Sequence, residues 1–97
     1  MDISDCRKIA DFFKVLSHPT RIAIVLQLLE GRKCVSNLEE LVKAPQPNIS
    51  QHLSIMKANG IVDWIQQGKM KCYFLKEPEL LKNLFNSGEE FLERRRG

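Results

Sequence analysis

The stretch "SHPTRIAIVLQLLEG", residues 17–31, constrains this chain more than any other. Ile22, Ala23, Ile24, Val25, Leu26, Leu28 and Leu29 run nearly all round a helical wheel, Pro19 suits the first turn, and Gly31 suits the C-terminal stop. A helix apolar on almost every side has to be covered by its neighbours. The 97 residues suffice for one core around it and not for two, so a single domain over residues 1–97 is expected. So short a chain buries a modest share of its unfolded surface, and a core shared between two copies is plausible from size alone.

The flanking patterns supply the cover. From Asp2 to Leu16, Ile3, Cys6, Ala10 and Phe13 fall near one helical face with Ile9, Phe12 and Leu16 beside them, and Ser17, His18 and Pro19 end the helix. Ser36, with Glu39 three residues on, predicts a capping box for "NLEELVKA". Pro45 and Pro47 bracket a turn, and "NISQHLSIMKANG" forms a fourth helix with Ile49, Leu53 and Met56 turned to the core and Asn59 and Gly60 as its stop. The period then changes. "IVDWIQQGKMKCYFLK" is rich in β-branched and aromatic residues and predicts a hairpin turning at Gln67, Gly68 and Lys69. Glu77 and Pro78 open a last helix carrying Leu80, Leu81, Leu84, Phe85, Phe91 and Leu92, with Gly88 a point of interruption and "ERRRG" a frayed tail. The expected fold is mainly α with a β-hairpin wing, a winged helix-turn-helix in the order α-α-α-α-β-β-α.

Charge is distributed unevenly. The formal net charge is +3, yet from Gln46 to Lys76 four lysines face Asp63 alone, while from Glu77 to Glu93 five glutamates face Lys82. The first segment suits a polyanion and the second does not. No apolar run approaches the roughly 20 residues of a membrane span, and Asp2 and Asp5 stand where a secretory signal carries positive charge, so a cytoplasmic protein is expected. Three cysteines, Cys6, Cys34 and Cys72, make no disulfide framework, and reduced thiols are expected. No paired carboxylates, Cys-His arrangement or Gly-rich phosphate loop is legible, which argues against an enzyme.

In a winged helix-turn-helix the fourth helix offers its N-terminal turns to the major groove, where amides, hydroxyls and imidazole reach base edges and phosphates. Gln46, Asn48, Ser50, Gln51, His52 and Lys57 are the candidate DNA-binding residues there, and Gln67, Lys69 and Lys71 are the wing candidates for phosphate or minor groove. Exposed lysines near a hairpin are often merely solvated. His18, beside Pro19 at a helix boundary, reads as local structure. The competing reading is a winged-helix interaction module without DNA binding, but a polar reader face lacks the exposed aromatics or aliphatics such a surface uses.

Three motifs in order resemble the ArsR/SmtB family of bacterial winged-helix repressors: "LSHPTRIAIVLQLLEG" for its L-x-x-P-T-R helix, "NISQHLSIMKANGIV" for its S-x-H-L-x-x-L-x-x-x-G-[IL]-V segment, and "QGKMKCYFL" for its wing. Met56 stands where the pattern has Leu. The resemblance implies a homodimer joined through the first and last helices, here Ile3, Ile9, Phe12, Phe13, Leu81, Leu84, Phe85, Phe91 and Leu92. It also implies binding to an imperfect palindrome in double-stranded DNA and release by an inducer. A two-fold dimer sets its readers roughly 34–36 Å apart. The pattern S-x-H-L places His52 near the DNA backbone. Many family members hold a metal in a C-V-C-[DE]-L pattern. The matching "KCVSNL" keeps Cys34 but has Ser36 and Asn37 in place of the second thiol and the acid, and the last helix has no histidine for the family's other site. Three readings of the thiols stay open. Cys6 and Cys34, meeting across a dimer, could bind a thiophilic metal or metalloid; two cysteines could oxidise to a disulfide or polysulfide bridge; or all three are small buried hydrophobes, as suits Cys72 best.

Overall fold

The structure, a computed structural model, describes residues 1–43 and 49–96. Its elements are α1 (Ile3–Leu16), α2 (Pro19–Leu28), β1 (Lys33–Cys34), α3 (Val35–Leu41), α4 (Ile49–Ala58), β2 (Val62–Gln67), β3 (Met70–Leu75) and α5 (Pro78–Arg96). The expected turn with Pro45 and Pro47, and the candidates Gln46 and Asn48 within it, lie outside the described residues.

Local chemistry sets most boundaries. Asp2 caps α1 through a reciprocal pair: its carboxylate accepts from the Asp5 N–H at 2.9 Å, and the Asp5 carboxylate accepts from the Asp2 N–H at 3.2 Å. His18 caps α2, its Nδ1 accepting from the Thr20 N–H at 3.1 Å, and Pro19 occupies the first turn, where no donor is needed. Gly60, at φ 76°, supplies the left-handed residue that ends α4, and Gly68, at φ 61°, does the same in a two-residue turn between the paired Gln67 and Met70.

Two expectations about helix ends are corrected. Cys34 rather than Ser36 occupies the N-cap position of α3, with no side-chain cap bond. The reason is tertiary: pairing with β3 holds the chain extended through Cys34, so the helix begins at Val35. Likewise α5 runs unbroken through Gly88 to Arg96 instead of fraying. Arg94 pairs with Glu90 and Arg96 with Glu93 at helical spacings, and three arginines in the last turn complement the negative end of the helix dipole.

The hairpin gains a third strand that the sequence pattern did not reveal. The antiparallel order is β1-β3-β2, with Lys33 opposite Tyr73, Cys34 opposite Cys72, and β2 in register with β3 from Val62–Leu75 to Gln67–Met70. Cys34 and Cys72 are joined by a disulfide, correcting the expectation of reduced thiols and of Cys72 as a bystander. Closing a loop over a sequence separation of 38 residues removes roughly 4 kcal/mol of unfolded-chain entropy on the loop-entropy scale. In the folded chain the bridge acts beside a ladder of two residue pairs in holding β1 to β3.

The core gathers Ile24, Val25 and Leu28 of α2, Leu38 of α3, Ile49, Leu53 and Met56 of α4, Val62, Tyr73 and Leu75 of the sheet, and Leu81 of α5. Leu81 is therefore internal to its own chain and unavailable to a partner, contrary to its expected place in a dimer interface. The central helix is also less enclosed than its composition suggests. Leu26 is exposed, and with Ile22, Leu29, Phe85 and Leu92 it lines a groove of about 410 Å³ between α2 and α5.

Truncating Leu53, which is wholly buried, removes transfer energy and leaves a cavity. Leu53→Ala is expected to lower unfolding free energy by ~2–5 kcal/mol in a urea titration.

Candidate nucleic-acid interface

Helix α4 divides cleanly into two faces. Ile49, His52, Leu53 and Met56 are buried, whereas Ser50, Gln51, Ser54 and Lys57 are exposed at i, i+1, i+4 and i+7. The exposed stripe is hydroxyl, amide, hydroxyl, ammonium, with no large apolar side chain in it. Ser54 was not among the expected reader residues, although its spacing of four from Ser50 would have found it. Lys57 lies 3.9 Å from Asp63 at the start of the wing, both about half exposed, a contact worth little that leaves the ammonium available.

His52 departs from the expected arrangement. Only 9% exposed, it faces inward, and its Nδ1 accepts a hydrogen bond from Arg21 Nε at 3.1 Å. The same guanidinium donates to the Val15 carbonyl at 3.0 Å, and the His18 ring lies 4.4 Å from that of His52. Two motifs that looked separate in sequence, S-H-P-T-R and S-x-H-L, thus meet in one cluster. An imidazole accepting at Nδ1 must be neutral and carry its proton on Nε2. Burial, and then the electrostatic influence of His18 and Arg21, push its pKa below the ordinary histidine value. His52 therefore packs α4 from inside and does not present its ring to solvent.

Wing residues Gln67, Lys69 and Lys71 are all exposed. Gln66 Nε2 donates to the Gly68 carbonyl at 3.0 Å, bracing the turn, and Lys71 Nζ sits 4.5 Å over the Trp64 ring. That cation–π contact, about 0.5–1 kcal/mol at an exposed site, orients the ammonium without neutralising it. The reader stripe and the wing lie in the basic segment, and the acidic residues of α5 lie outside it.

A thiophilic site does not fit the chain as folded. Cys34 is engaged with Cys72, and Cys6 stands exposed and free on α1. Among the described residues no three His, Cys, Asp or Glu side chains come together. A disulfide sulfur is no thiolate donor.

Residues 18–63 match the family profile described as "Bacterial regulatory protein, arsR family". The HTH-type transcriptional repressor SmtB of Mycobacterium tuberculosis is 43% identical over 70 residues, which cover 72% of this chain and 52% of that protein, so the chain spans about half its length. The cadmium resistance transcriptional regulatory protein CadC of Listeria innocua is 36% identical over 90 residues, covering 92% of this chain and 75% of that protein. Among solved structures, the crystal structure of Rv0081 from M. tuberculosis superposes with a TM-score of 0.82 at 31% identity, covering 94% of this chain and 96% of that one.

The Arg21–His52 pair implies a pH dependence. A histidine held below its unfolded pKa of about 6.5 makes the folded chain bind fewer protons than the unfolded one. The contribution is therefore complete above about pH 6.5 and is lost as pH falls through that value toward the lowered folded pKa. Urea midpoints are expected to drop between about pH 7.5 and about pH 5.5, and to drop less in His52→Gln, whose amide oxygen can accept from Arg21 at either pH.

Proposed function

The chain belongs to the arsR family of bacterial regulatory proteins, and we propose that it is a sequence-specific DNA-binding transcriptional repressor acting in the cytoplasm as a homodimer. The observation that carries the reading is the exposed stripe of Ser50, Gln51, Ser54 and Lys57 on α4 beside a lysine-bearing wing. Gln51 has donor and acceptor for a base edge, the serines serve base or phosphate, and Lys57, Lys69 and Lys71 meet phosphate. Gln46 and Asn48 belong to the same proposed surface by sequence. An interaction module would need apolar anchors on this face, and the stripe has none.

Two copies account for the apolar residues left exposed on the terminal helices. Ile3, Ile9 and Phe13 of α1 and Phe91 and Leu92 of α5 stay outside the core, and Leu80 adds to them. Phe12, Leu84 and Phe85 are partly buried against the core and extend the same surface. A two-fold partner covering these helices turns both readers toward one palindromic DNA face. Release by a thiophilic ion between Cys6 and Cys34, the reading that CadC's name invites, is open only to a chain whose Cys34–Cys72 bridge has been reduced.

Fluorescence anisotropy against the chain's own upstream DNA tests this. Gln51→Ala and Ser50→Ala are each expected to weaken specific binding by ~1–3 kcal/mol without shifting the thermal midpoint, and Lys69→Ala to lower the salt slope by about 1. Affinity for the upstream fragment no higher than for scrambled DNA, at every salt concentration, would count against the reading.

A further inference from the structure

We infer that the His18–Arg21–His52 cluster ties DNA affinity to pH, holding α4 for binding while both rings are neutral and releasing it when acid protonates them; this rests on the DNA-binding reading above. The chain has two histidines, and both stand in this cluster with ring centroids 4.4 Å apart. Each ring is engaged at the atom an added proton would take. His52 Nδ1 accepts from Arg21 Nε at 3.1 Å, and His18 Nδ1 accepts from the Thr20 N–H at 3.1 Å. A ring nitrogen that accepts carries no proton, so both bonds exist only for neutral imidazoles. Protonation turns either acceptor into a donor that faces a donor. At His18 this removes the side-chain cap of α2, and at His52 it sets a second positive charge against the guanidinium that also donates to the Val15 carbonyl.

No acid in the packed elements offsets that charge. Helix α1 offers the uncharged Val15 carbonyl, and its Lys14 is exposed; Glu39 and Glu40 of α3 are exposed; Asp63 of β2 pairs with Lys57 on the outer side of α4. Among the described residues no carboxylate pairs with His18, Arg21 or His52, and residues 44–48, "APQPN", carry no titratable side chain. His52 directly follows Gln51 and lies between Ser50 and Ser54, so a ring driven off Arg21 shifts the backbone that carries the exposed stripe. His18, Arg21 and His52 are therefore positioning residues. The arrangement competent for DNA binds fewer protons than the displaced one, in which a freed His52 ring regains the ordinary pKa of about 6.5, and acid favours the displaced one. Affinity is complete above about pH 6.5 and is lost as pH falls below that value. A histidine that met phosphate directly would give the opposite sign, since the DNA would then favour the imidazolium.

Specific affinity of the full chain for the upstream fragment is to be read by anisotropy at constant ionic strength, with the fold followed by circular dichroism. Between about pH 7.5 and about pH 5.5 it is expected to fall roughly tenfold, a coupling of ordinary size, while the circular dichroism persists. His52→Gln and His18→Asn keep an acceptor for Arg21 and for the Thr20 N–H but cannot charge, and the double variant should show no pH dependence over this range, whatever its affinity at neutral pH. Imidazole C–H resonances of the parent provide a check that needs no variant: adding the upstream fragment is expected to lower the pH at which the His52 ring titrates. Affinity that is flat or rises as pH falls, a His52 titration that DNA leaves in place or raises, a dependence that survives in the double variant, or loss of circular dichroism in step with affinity would each overturn the inference. Absence of specific binding at every pH would remove the DNA-binding reading and this inference with it, whereas specific binding that ignores pH removes the inference alone.

Discussion

The reader helix depends on one side chain that touches no reading surface. Arg21 leaves α2, donates to the Val15 carbonyl at the end of α1 and to the His52 ring on α4, and so holds three helices by two directed bonds. Hydrogen bonds involving a charged group contribute about 1.5–3 kcal/mol, against the much larger apolar burial around Ile24, Leu53 and Met56. Burial is non-directional, however, and a directed bond adds an angular constraint that apolar contact alone does not carry. The fixed fork of the guanidinium cannot follow a rotation of the helix without losing its acceptors. Packing of Ile49, Leu53 and Met56 turns the stripe outward, and the two Arg21 bonds add a directed restraint to it.

The other frame is covalent. A hairpin alone projects from the helices on two strands, and adding β1 to β3 makes a three-stranded sheet whose outermost strand runs directly into α3. Reader and wing are then positioned from opposite ends of one closed loop, Arg21 acting on α4 from within the core and the Cys34–Cys72 bond acting at the loop's closure. Neither device uses the residues that face outward, so the stripe on α4 is free to vary in chemistry while its placement is kept.

Much of this was legible beforehand. Apolar spacing located α1, α2 and α4, glycines at positive φ marked the end of α4 and the hairpin turn, and the change of period after Gly60 announced the wing. The exposed serines, glutamine and lysines were legible as well, since a helix that buries Ile49, Leu53 and Met56 must turn its polar residues outward. What failed did so for definable reasons. Ser36 with Glu39 is a sound local cap signal, and it lost to a strand pairing 38 residues away. A two-residue strand has no period to detect. His52 carries no mark in sequence separating an exposed ring from a buried one that accepts a bond from an arginine 31 residues earlier.

Local order, then, was written in the chain: caps, turns, helical faces and the basic segment follow from neighbours a few residues apart, whose interactions hold in any fold. The tertiary structure alone decided which distant groups met. Cys34 faced Cys72, Arg21 found His52, Leu81 was drawn into the core and Leu26 was left out of it. Such choices depend on how helices and strands pack against one another in space, and a side chain's partner across that packing is fixed by geometry that no short window of sequence contains.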